Sequence, residues 1–172
     1  MSTVNTVDKN QAVIDFLMGC DTIANNPLFF NFLNAKDNSK QIITEGNETL
    51  LNKKFIDGSV LKRYTFTIID FRSVTYLPIP KTPQTTTTTE VPVNENVEEL
   101  LDVQGIMDWI NQQADAQNYP DFGNYCTIED MRTTSENPNL NGIDTQVSPA
   151  LAKYSISIQI DYIDTSKAIW NS

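Results

Sequence analysis

Few side chains in this chain could do chemistry, and their spacing works against most of it. There is no histidine among the 172 residues. That removes imidazole general acid–base catalysis, Ser-His-Asp and Cys-His nucleophile arrangements, and zinc sites built on imidazole. Cys20 and Cys126 are the only thiols. They lie far apart in different expected elements, with no CxxC and no export signal, and are expected to be buried free thiols. Acidic pairs remain as candidate catalytic carboxylates or metal ligands. Glu98 and Glu99 are adjacent, so on a helix they point about 100° apart, and Glu129 and Asp130 on a strand would face opposite sides. Neither pair converges on one ion. No EF-hand loop, phosphate-binding glycine loop or dinucleotide fingerprint occurs, and the six glycines are scattered singly. The expectation is a protein that is not an enzyme and holds no cofactor and no metal.

The elements that must position these residues are easier to read. From Tyr154 to Tyr162 polar and apolar residues alternate strictly, Tyr154, Ile156, Ile158, Ile160 and Tyr162 against Ser155, Ser157, Gln159 and Asp161. Successive side chains of a strand point to opposite faces, so this is a half-buried strand of fixed register. Val60 to Thr75, with its β-branched and aromatic centre Tyr64 to Phe71, is a second strand. Gln41 to Glu45, residues 28–34 and Asn124 to Thr133 are further strand candidates. Residues 8–18 read as a helix, with Asp8 and Gln11 in capping-box spacing, Gly19 as stop, and Val13, Phe16, Leu17 and Cys20 as its apolar stripe. A longer helix follows Asn96, which pairs with Glu99 as a capping box. Leu100, Val103, Met107, Ile110 and Ala114 form its stripe, widened by Val97, Leu101 and Ile106. Asn52 to Gly58 reads as a partly basic loop, and Asn137 to Asp144 as turn chemistry. The elements alone, in the order helix, strands, helix, strands, give an expected fold class of α+β in a single domain over 1–172.

Pro78, Pro80, Pro83 and Pro92 bracket Thr85, Thr86, Thr87, Thr88 and Thr89. Proline removes backbone donors and threonine builds no core, so 78–95 reads as an exposed loop, or an arm able to pair with a partner's strand edge.

The net charge of −10 is unevenly spread. Residues 1–81 hold nine Lys and Arg against eight Asp and Glu, a balance of +1. Residues 82–172 hold three against fourteen, a balance of −11. This excess opposes direct, sequence-specific nucleic-acid binding. No window approaches the roughly 20 apolar residues of a membrane span, so a soluble protein retained where it is made is expected.

Four blocks carry a family resemblance: PLFFNFLNAKDNSKQIIT (27–44), FIDGSVLKRYTFTIIDFRSV (55–74), NVEELLDVQGIMDWINQQ (96–113) and NPNLNGIDTQVSPALAKYSISIQIDYID (137–164). In this order they resemble the small neck and tail-completion proteins, the tail terminators, of tailed phages and phage-tail-like bacteriocins of Gram-positive bacteria. The segment 82–93 departs from that pattern as an insertion. The resemblance implies a mostly antiparallel sheet with two main helices packed on one face, and a structural virion protein, assembled in the bacterial host cytoplasm, that forms a ring, commonly a hexamer, capping the tail tube and joining it to the head-side neck. The implied partners are further copies of the chain, the tail-tube protein and the head-side connector, with a sheath protein as a further candidate. On this reading Lys53, Lys54, Lys62 and Arg63 form one contact patch and Thr85, Thr86, Thr87, Thr88 and Thr89 lie in another. A tail-tube subunit, a head–tail connector and a stand-alone binding module are the alternatives.

Overall fold

The computed structural model describes residues 8–31, 36–44, 49–74 and 95–169. In chain order they form α1 (Lys9–Leu17), α2 (Asp21–Ala24), β1 (Leu28–Phe30), β2 (Lys40–Thr44), β3 (Thr49–Lys54), β4 (Val60–Val74), α3 (Glu95–Asp115), β5 (Cys126–Thr133), β6 (Asn139–Asp144) and β7 (Ala150–Asp164). The alternating run is the centre of β7, and its sheet partner is β4. These two 15-residue strands pair antiparallel along their whole length, from Val60 opposite Asp164 to Val74 opposite Ala150.

Each outer edge of this ladder is shared by two shorter strands. On β4, β3 covers the end near Val60 and β2 the middle and far part, with β1 parallel to β2 beyond it. On β7, β5 covers the end near Asp164 and β6 the end near Ala150. The result is one α+β sheet of seven strands, antiparallel except for β1 and β2.

Pairing β4 with β7 residue for residue puts Tyr64, Phe66 and Ile68 on the same face as Tyr154, Ile156, Ile158, Ile160 and Tyr162. The helices cover that face. Val13 and Leu17 of α1, Ile23 of α2, and Val103, Ile106, Met107 and Ile110 of α3 join these strand residues in one buried core. Phe122 meets Tyr64 and Tyr162 edge-on, with ring centroids 5.6 and 5.4 Å away. On the opposite face Ile69, Phe71 and Leu151 make a small second cluster. Between that cluster and the apolar pair Leu61 and Ile163 runs a polar ladder, Arg63 opposite Asp161, Thr65 opposite Gln159, and Thr67 opposite Ser157.

Several expectations are corrected. Asn137 to Asp144 is not only turn: Asn139–Asp144 is strand β6, bulged between Leu140 and Gly142. Asn52 to Lys54 belong to β3, and only the tight turn 55–59 separates it from β4. Asp8 does cap α1, accepting from the Asn10 amide at 3.0 Å, but Gln11 donates to Asp15 instead of closing a capping box. Helix α3 begins at Glu95, so Asn96 lies inside it and is not its cap. Val97, Leu100 and Leu101, expected in the core stripe, are exposed. The Thr- and Pro-rich segment, including Thr85 to Thr89, lies outside the described residues, and Glu95 at its end is already helical.

Candidate functional site

Charge is organised in three places. The first lies on the helix face at the far part of β4. Lys40, Asp70 and Arg72 are all buried there. Register sets this up, because Lys40 is opposite Asp70, and Arg72 follows two residues on along the same face. Lys40 Nζ lies 3.3 Å from the Asp70 carboxylate, and Arg72 donates to both Asp70 oxygens at 3.1 Å. Arg72 Nη1 also reaches Glu99 at 2.9 Å and Asp102 at 3.0 Å, tying the sheet to the first turns of α3. Burial pushes Asp70 up, and the two cations pull it back. Burial likewise lowers Lys40 against the pull of Asp70. Every charge here has a partner, so the cluster acts as a clamp between layers.

The second lies on the polar face. Arg63 Nε and Nη2 grip Asp161 at 2.6 and 2.8 Å, the two-pronged geometry that carboxylates favour. A bulge in β5 brings Asp130 opposite Asp161, and Arg132 bridges the two like charges, bonding Asp130 and lying 3.9 Å from Asp161. Lys62, one residue from Arg63, points to the other face and meets Asp164 at 2.7 Å. Burial pushes Asp164 up, but hydrogen bonds from Lys62 and Ser166 outweigh it and hold the carboxyl at about 2.

The third is the end of the sheet where β3 turns into β4. Lys53 and Lys54 are exposed, with Lys53 Nζ 5.3 Å from the Phe55 ring centroid. Ile56, at the tip, is fully exposed. Beside it an open groove of about 540 Å³ is lined by Phe55, Ile56, Thr127, Glu129 and Ile163, among others.

The four basic residues expected as one patch are therefore divided. Lys53 and Lys54 are exposed at the turn, while Lys62 and Arg63 point to opposite faces and are each engaged by a carboxylate of β7. Sequence reasoning missed Ile56, Val97 and Leu101 as surface residues. Their signals were an isoleucine directly before the turn residues Asp57 and Gly58 and an apolar helix stripe too wide for one buried face. Cys20 and Cys126 form no disulfide; Cys20 is buried as expected, whereas Cys126 is only half-buried, and burial pushes the Cys20 thiol up. Among the described residues no three His, Cys, Asp or Glu side chains are grouped to hold a metal ion, and no helix is long and apolar enough to cross a membrane. What the arrangement offers is surface: an edge strand, an apolar tip and an apolar helix stripe. No family model matches the chain, and no curated protein matches it in sequence.

Proposed function

We propose that this protein is a structural, non-catalytic component of a phage or phage-like tail, a terminator that forms a ring on the last layer of the tail tube and joins it to the neck. The observation that carries this reading is β6. All six of its residues are exposed, Leu140 and Ile143 among them, and among the described residues it pairs with β7 alone. An edge strand with open backbone groups and exposed apolar side chains is a template for another chain. The order of the four sequence blocks supports the same reading. The ring would bring in the tail-tube protein on one side and the head-side connector on the other, in a virion assembled in the host cytoplasm.

The experiment is a particle preparation lacking this protein. Tails of irregular length, or tails unable to join heads, are the expected result. Tails of normal length joined normally would overturn the reading. The groove beside Ile56 favours a second reading, a stand-alone binding module, and a protein that is monomeric at micromolar concentration and absent from particles would support it.

A further inference from the structure

We infer that copies of this chain join head to tail, the β3–β4 turn of one copy seating on the solvent side of α3 in the next. This rests on the ring reading and names the surfaces that would close it.

The knob is Ile56. Its turn is held rigid: Phe55 and Gly58 amides donate to Ser59 and Phe55 carbonyls at 2.9 and 3.1 Å, and the Ser59 amide and hydroxyl both donate to Asp57 Oδ1. Gly58 sits at φ +90°, and a Cβ there would come within 2.8 Å of the Lys167 carbonyl oxygen, so the turn and the C-terminal segment are locked together. An isoleucine presented to solvent on so fixed a support is preorganised for contact. Around it three cations, Lys53, Lys54 and Lys167, are exposed against two carboxylates, Asp57 in the turn and Glu129 across the groove, which leaves a small basic excess.

The socket is the stripe of α3 that faces away from the core. At about 100° per residue, Leu101 lies opposite the buried Val103, Ile106, Met107 and Ile110, and Val97 and Gly105 continue its line one turn to either side. Leu101 is 62% and Val97 48% exposed. Gly105 stands in the helix interior, where only proline is less favourable. Yet among the described residues a Cβ at Gly105 would meet nothing within 4 Å. The fold of one copy has no use for that missing side chain, whereas close approach by another molecule does. Charge is complementary as well. Helix α3 carries neither Lys nor Arg, and beyond Glu99 and Asp102, which Arg72 engages, it presents Glu98, Asp108 and Asp115 as exposed carboxylates.

Knob and socket cannot meet within one chain. The turn lies at the Val60 end of β4, and α3 begins beside Arg72, about 40 Å away along the strand at ~3.3 Å per residue. Two different patches in contact make a heterologous interface, which propagates from copy to copy and closes by rotation into a ring.

The test combines two kinds of variant, read by sedimentation and on denaturing gels, with and without tail tubes. Gly105→Leu should melt at or above the wild-type temperature, by about 2–4 °C, while losing the wild-type assembly. The double variant Ile56→Cys/Leu101→Cys should give, on oxidation, a ladder of covalent multimers, and each single variant no more cross-linking than wild type. Wild-type assembly by Gly105→Leu overturns the inference, as does dimer formation by Ile56→Cys alone, which marks a two-fold contact. A missing ladder from a double variant that still assembles also overturns it and leaves the ring to other surfaces. A wild-type protein that stays monomeric both alone and on tubes removes the ring reading itself and this inference with it.

Discussion

Asp70 is the side chain on which most of the buried charge depends. Asp70→Asn would leave Lys40 and Arg72 buried without their shared carboxylate, at an expected cost of about 3–5 kcal/mol. Lys40→Met removes one cation but leaves Arg72 holding both Asp70 oxygens, so its cost should be clearly smaller. Urea unfolding of the two variants checks the ranking, and equal losses would mean that Lys40, not Arg72, is the main partner. Asp164 gives a pH dependence. Its folded value of about 2 lies below the ordinary carboxylate value near ~3.9. The stability it contributes is therefore fully present above about pH 4 and is lost as pH falls toward 2. Lys62→Met should raise the Asp164 value toward the ordinary one, which a carboxyl NMR titration would read directly. None of these partnerships was legible in the sequence. Lys62 and Asp164 are 102 residues apart, Arg63 and Asp161 98, and nothing local marks a long-range ion pair.

Elements were legible where the chain is periodic and obscure where pairing imposes the form. Strict alternation identified β7, and β-branched density identified β4. Strand β6 has a turn-like composition, Asn139, Asn141 and Gly142 included, and is extended because β7 offers it an edge, a bulge absorbing the misfit. In α3 the capping pattern put the helix start two residues too late, at 97 instead of Glu95, and the apolar stripe was read too wide because solvent-side Val97 and Leu101 resemble core residues by type. The core face of β7 can be tested directly. Ile158 is fully buried beneath the helices, so Ile158→Asp should cost several kcal/mol. Ser157→Asp, on the polar face where Ser157 sits 3.0 Å from the Thr67 hydroxyl, should cost far less. Thermal melts of the two variants suffice, and equal damage would mean that both faces are sealed.

For the whole molecule, the division of charge between the halves takes on a different meaning once the chain is folded. In linear order the near-neutral half and the acidic half stand apart. In the fold Lys62, Arg63 and Arg72 of the first half meet Asp164, Asp161, Glu99 and Asp102 of the second. Part of the imbalance is thus spent inside the fold, and the exposed remainder is concentrated on elements such as α3. The α+β class could be read from the order of elements, and the mostly antiparallel sheet was implied by the family resemblance, but the bisected edges of the β4–β7 ladder could not be read.

That ladder also sets when the molecule can come into being. Its two strands are separated in sequence by α3, β5 and β6, so no central pair can form until the last strand has been synthesised. Before then β4 would have only β2 and β3 beside it and one long edge open. Pairing between such distant segments has to close a long loop before any contact rewards it, which places folding in the slow, millisecond-to-second range of β-rich topologies. Stopped-flow refolding should show this, and a chain truncated at Ser148 should aggregate instead of folding. A ring built from such subunits would draw only on chains in which β7 is already in place, since the sheet has no central pair without it.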